Sequence, residues 1–278
     1  MAPRRSSRQN EVVRRARATF ELWADCFDRH NILTYASAIA LRALVALIPL
    51  TLLGLACLGA FGLESVWRDQ LAPPLHHRLT APMYGAIDDA VRRIMNHGTL
   101  GLIAFAGVLA IWDVSSVVRA CMGGMNAIYE QKEERSLRRR FGISLGLGIA
   151  ITLCIFGAVL AVTAGRRLAH GNSVLEGFLL VAWWVIAVAA LALAVGLLVQ
   201  FAPTNRRGEG WVGLGTLLVV GFWIAASLLF GWFVSSVANF KTAAGQLTVF
   251  LFLTTYVYTS SLVFLVGAQL NELLRGRA

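Results

Sequence analysis

Residues 98–129 read GTLGLIAFAGVLAIWDVSSVVRACMGGMNAIY. The stretch is long and apolar enough to cross a bilayer, yet it carries Asp113 and Arg119. A charge at bilayer depth costs several kcal/mol unless it is paired or wetted. The segment therefore predicts a membrane helix with a functional site built into it.

The rest of the chain agrees with a membrane setting. It has 278 residues, 57% of them hydrophobic and 14% charged, and a mean hydropathy of +0.66. Soluble domains carry about 25% charged residues. Six apolar spans are expected, at 33–62, 99–125, 141–164, 177–202, 211–237 and 247–270. Each reaches the roughly 20 residues that a crossing requires. All should be helices, because lipid offers a backbone no hydrogen-bond partner. The expected fold is an all-α membrane bundle of six transmembrane helices. With no linker dividing it, residues 33–270 form one domain, between a basic tail (1–32) and a short tail (271–278).

The tail opens MAPRRSSRQN, with no apolar core directly after it, so no cleavable signal peptide is expected. Within 11–28, Val13, Ala16, Phe20, Trp23 and Phe27 recur at helical spacing, and Arg14, Arg15 and Arg17 take other faces. That pattern predicts an amphipathic helix lying in the membrane interface. The first external loop, 63–98, is expected to be helical as well. Pro82 opens the helix, and Met83, Ile87, Ala90, Val91, Ile94 and Met95 form its apolar stripe.

Net charge is +10, and its distribution predicts orientation. The tail, the 126–140 loop, the 203–210 loop and the C-terminal tail hold seven, five, two and two Lys or Arg residues. Seven more lie in the other loops, and Arg42 and Arg119 lie in spans. The bias predicts both termini in the cytoplasm for a multi-pass membrane protein. Anionic lipids are the expected partner, and no nucleic acid is expected. A homo-oligomer is left open. Cys26, Cys57, Cys121 and Cys154 read as small apolar residues rather than a disulfide framework.

Arg42 lies about nine residues into span one, roughly 13 Å deep. It either snorkels to the interface or pairs with Asp113. Asp113 is roughly 20 Å deep, and its short side chain cannot snorkel. Arg119 is six residues on, some 120° around the helix, so the two do not share a face. Arg119 shares a polar, small face with Trp112, Ser116, Gly123 and Asn126, expected to look into the bundle. Pro49 should break span one at its middle, as in transporter helices that flank a substrate. Arg42, Pro49, Asp113, Ser116, Arg119 and Asn126 are thus the candidate substrate path. Asn205, Arg206, Gln269, Asn271 and Glu272 are candidates for the inner mouth. Gly142 and Gly146 form a GxxxG, extended by Gly148, that predicts close helix packing. His30, His76, His77, His97 and His170 are scattered, without HxH, HExxH or CxxC spacing, and no nucleotide fingerprint appears. No cofactor, metal or catalytic residue is expected.

Several motifs in order resemble the YihY/BrkB family of bacterial inner-membrane proteins, once labelled ribonuclease BN. They are YASAIALRALVALIPL ending near Pro49, the Trp112–Ser115–Ser116 to Asn126–Tyr129 pattern, FAPTNRR (201–207) and the closing GAQLNELL. The resemblance spans nearly all of the chain from Leu22. It implies a multi-pass membrane protein connected with virulence, serum resistance and lipid or solute transport. This chain departs from the pattern at Gln269 (the family tends to Glu), Arg42 (an aromatic or apolar residue), Tyr256 (Trp) and Ala244 (Tyr). The leading expectation is a transporter or lipid flippase-like protein moving an anionic or amphiphilic substrate. The rivals are a non-transporting scaffold linked to envelope integrity and, behind it, a membrane ribonuclease. The last lacks any clustered metal ligands or acid–base pair in the sequence.

Overall fold

The computed structural model describes residues 29–96, 100–168, 173–202, 214–236 and 242–275. The expected helix at 11–28 lies outside them, as do Asn205 and Arg206. The described residues are all-α. The long helices are α1 (Ile32–Ala60), α4 (Ala81–Asn96), α5 (Leu100–Ile128), α6 (Leu137–Leu168), α7 (Ser173–Phe201), α8 (Leu214–Ser236) and α9 (Ala243–Arg275). Between α1 and α4 run α2 (Glu64–Val66), a π-helical turn (Trp67–Leu71) and α3 (Ala72–Arg78).

Among the described residues, five stretches are long and apolar enough to cross a bilayer: α1, α5, Leu137–Gly157, Gly215–Phe233 and Ala244–Glu272. Helix α7 covers the fourth expected span, and Val188–Phe201 is its shorter apolar part. Packing follows chain order. Helix α1 packs on α5, α5 on α6, α6 on α7, α7 on α8 and α8 on α9, and α9 returns to α1. The contacts close into a ring.

The largest core sits at one end of that ring. It joins Ile32, Ala36 and Ile39 of α1, Val118 to Ile128 of α5, Leu147 of α6, Val195 of α7, Val219 of α8 and Phe264, Leu265 and Ala268 of α9. Helix α1 runs through Pro49 without a break, and Pro49 is buried. The expected interruption of span one is thus not there. Proline removes one donor, and neighbouring helices allow the helix to continue.

Small residues set the seams, though not those of the GxxxG. A Cβ at Gly142 or Gly146 would meet nothing within 4 Å. Gly148 is the contact residue instead: a Cβ there would lie 2.5 Å from Ser115 Oγ and 3.2 Å from its backbone nitrogen. Gly215 and Gly267 bring α8 and α9 together backbone to backbone. The motif identified a smooth helix face but not the neighbour that uses it.

The loop after α1 is helical, as expected, and Pro82 is the second residue of α4. Its buried face is rotated from the expected stripe. Val91 and Met95 pack with Trp67, Ala72, Leu55, Leu58, Leu75 and Tyr84, whereas Ile87 and Ala90 are exposed. The reason is Asp88. Trp67 Nε1–H donates to its Oδ1 at 2.8 Å, and Arg92 Nε–H donates to Oδ2 at 2.7 Å. A buried indole N–H needs an acceptor, and Asp88 supplies it by facing inward.

The Trp67 bond first, and Arg92 second, hold the Asp88 carboxyl below the usual carboxylate range. A depressed carboxyl contributes stability above its unfolded pKa and loses it as pH falls through the folded one. The α4 packing should therefore persist at neutral pH and through mild acid, and loosen only below the ordinary carboxylate range. Trp67 fluorescence, isolated by difference against Trp67→Phe, should report this transition. Asp88→Asn should remove it; a transition unchanged in that variant would refute the assignment.

Candidate functional site

The face of α5 predicted from spacing holds together for four of its five members. Trp112, Ser116 and Arg119 lie together, and Gly123 lines the same cleft. The guanidinium of Arg119 sits 5.9 Å from the Trp112 ring centre and 5.2 Å from that of Phe141 on α6. Its Nη1 donates to Ser144 Oγ at 3.2 Å, and the Ser144 hydroxyl donates in turn to the Phe141 carbonyl. Two aromatic faces and one hydroxyl thus fix the cation in place.

This face does not look into the bundle. Trp112 is 54% exposed, and it flanks a cleft of ≈ 490 Å³ between α1, α5 and the first turn of α6. Tyr35, Arg42, Arg119, Gly123, Arg140 and Phe141 line it. Helical spacing put these α5 residues on one face but could not say which way the helix was turned. Ser115, one position on from the face, is locked against Gly148 and sets that rotation.

Arg42 does not pair with Asp113. Its Nη1 donates to the backbone carbonyl of Ser116 at 2.9 Å. Arg42 is exposed beside Leu41, Val45 and Ile48, all exposed apolar residues of α1. Asp113 is half-buried, and among the described residues no cation lies within ion-pair distance of it. Eleven residues, close to three whole turns, separate it from Gly124. Gly124 packs on Tyr35 of α1 and Leu265 of α9, so Asp113 shares the α5 side turned to those helices.

Asn126 leaves the cleft face. It is buried, and its Nδ2 donates to Glu133 Oε2 at 2.8 Å. Glu133 stands 4.0 Å from the guanidinium Nε of both Arg135 and Arg140. Arg135 also donates to the Ala202 carbonyl at the end of α7. Helix α5 closes just before this loop with Glu130 at φ 50, bracketed by bonds from Gln131 to Asn126 and from Glu130 to Ala127. A left-handed non-glycine residue costs about 1 kcal/mol. Contacts with Arg29 and His30 accompany it here, at 3.9 and 3.6 Å.

Gln269 is 2% exposed, and its Oε1 lies 3.1 Å from His30 Nδ1. Asn271 Oδ1 accepts the Gly215 N–H at 2.8 Å and so satisfies a first-turn donor of α8. Glu272, next along, is half-buried on α9. Three residues that matter here were passed over in the sequence. Arg140 was read as a topology signal, His30 as one of several scattered histidines, and Glu133 was not singled out. Arg140 falls one helical turn after the start of α6 and four residues before Ser144, which was the available signal.

The arrangement defines a class: a multi-pass membrane protein, all-helical among its described residues, with a cationic cleft between apolar helices. The chain belongs to the family described as virulence factor BrkB, whose model matches residues 24–278. A putative ribonuclease-like protein, YfkH, of Bacillus subtilis is 26% identical over 198 residues, covering 69% of this chain and 72% of that protein. A UPF0761 membrane protein of Alkalilimnicola ehrlichii is 28% identical over 261 residues, covering 90% of this chain and 57% of its own length. A UPF0761 membrane protein of Methylibium petroleiphilum is 24% identical over 250 residues, at 84% and 56%. The chain thus spans just over half of those two relatives. No solved structure matches. Among the described residues, no three His, Cys, Asp or Glu side chains gather as a metal ion would require.

Proposed function

We propose that this chain is a transporter of flippase type that handles an anionic or amphiphilic substrate in the bacterial inner membrane. Counting α7 as a span supports six crossings, and the positive-inside bias supports cytoplasmic termini at the core end of the ring. One observation carries the reading. Arg42 and Arg119 line one cleft between two apolar helices long enough to span a membrane, and among the described residues no carboxylate lies within 4.0 Å of either. Uncompensated cations are costly there, which favours an anion that neutralises them. Asp113, turned to the α1 and α9 side of the same helix, is the candidate coupling residue. A carboxylate without a cation partner in an apolar span is a functional-site candidate by default.

The test is movement of a fluorescent anionic phospholipid between leaflets of reconstituted vesicles. Wild-type protein should accelerate it over protein-free vesicles. Asp113→Asn should slow it at least about tenfold, as expected if this intramembrane carboxylate takes part in transport. No acceleration by wild-type protein, with Asp113→Asn cells behaving as wild type, would defeat the proposal. The scaffold reading would then gain, since it requires the basic tail rather than the α5 face.

A further inference from the structure

We infer that the cleft between α1, α5 and α6 is a phosphate-binding site, built from Arg42, Arg119 and Arg140. The inference deepens the transport reading and rests on it for the identity of the carried group. Three guanidiniums line one ≈ 490 Å³ space. Arg119 is partly desolvated there and feels the like charges of Arg42 and Arg140, which disfavours the cluster without an anion.

Their hydrogen-bonding capacity is largely unused. Arg42 gives one N–H to the Ser116 carbonyl, and Arg119 gives one to Ser144 Oγ. A guanidinium has five such donors. Arg140 Nε is buried and has no hydrogen-bond acceptor; Glu133 stands 4.0 Å away. A phosphate group answers all three features. It supplies negative charge, several acceptor oxygens, and the planar two-point geometry that guanidinium forks match. A carboxylate would offer two oxygens to three forks.

The setting adds a second criterion. Leu41, Val45 and Ile48 expose an apolar strip along α1 beside Arg42, and Trp112 and Leu153 are exposed on the flanking helices. Leu137 and Phe141 line the cleft where α6 begins, directly after the basic loop. A phosphate seated among the arginines would leave acyl chains lying against that strip. Phosphate chemistry thus has two sources here, a phospholipid headgroup or free inorganic phosphate, and the apolar strip favours the first.

Native mass spectrometry of the full chain, released from nanodiscs of mixed phosphatidic acid and phosphatidylcholine, tests the site. Wild-type protein should retain the anionic phospholipid. Arg42→Gln and Arg119→Gln should each weaken retention about tenfold, the loss expected for one charge-assisted contact. Arg139→Gln, an exposed neighbour outside the cleft, should keep it, and circular dichroism checks that each variant is folded. Addition of inorganic phosphate at constant ionic strength separates the sources. Retention undisturbed by phosphate identifies a lipid site, and displacement of the lipid identifies a free-phosphate site; both support phosphate recognition. Equal retention by folded wild type and the Arg42→Gln/Arg119→Gln double variant would overturn it. Retention that depends on the arginines, in a protein that moves no lipid, would leave the site standing and remove the transport reading.

Discussion

Replacing Gly267 by leucine should prevent stable assembly of α8 and α9. A Cβ at Gly267 would lie 2.5 Å from Val219 Cγ2 and 2.8 Å from the Gly215 carbonyl oxygen. The second obstacle is backbone and cannot rotate away. Overpacking of this kind costs about 1–3 kcal/mol even where side chains can give, and the backbone contact places Gly267→Leu at or above that range. The shift would also pull Asn271 from the Gly215 N–H, uncapping α8 at a further cost of about 1 kcal/mol. Thermal unfolding in detergent should show a large drop or no folded protein. Gly146→Leu, where a Cβ meets nothing within 4 Å, should unfold close to wild type. The reverse order would mean that the GxxxG is the working seam.

Glu133→Ala should be the second large effect. Glu133 accepts from buried Asn126 at 2.8 Å and lies 4.0 Å from Arg135, whose side chain is 8% exposed. Removing one partner of a buried ionic cluster leaves an uncompensated charge and costs about 3 kcal/mol. Asn126 loses an acceptor in the same step, and the loop from α5 to α6 loses its anchor to the Ala202 carbonyl through Arg135. Because Arg140 belongs to this cluster, the variant should also release its side chain in the cleft. Thermal unfolding with and without added anionic lipid separates the two consequences. An unfolding temperature within a degree of wild type would show that the cluster is solvated and weak.

The long helices were legible because lipid leaves the backbone one option. Apolar runs of twenty residues fix spans to within a few positions, as α1 and α5 show against 33–62 and 99–125. Rotation about the helix axis was not legible. Spacing placed Trp112, Ser116 and Arg119 together, but the direction they face depends on Ser115 meeting Gly148, a contact 33 positions away in the chain. The same blindness made Asp113 a plausible partner for Arg42, when the nearer acceptor is a backbone carbonyl that no sequence pattern reveals. On α4, an apolar stripe was a reasonable guess at the buried face, yet Asp88 is the residue that turns inward, because Trp67 needs it. Polar residues that satisfy a distant donor look like surface in a sequence.

The most direct measurement of the central claim is photolabelling in the native membrane. An anionic phospholipid carrying a diazirine beside its phosphate should attach to peptides containing Tyr35 to Arg42, Arg119 to Gly123, or Leu137 to Phe141. Attachment should fall in Arg42→Gln/Arg119→Gln cells. Labels confined to α8 and α9, or unchanged by those substitutions, would contradict a cationic cleft that receives phosphate from the membrane.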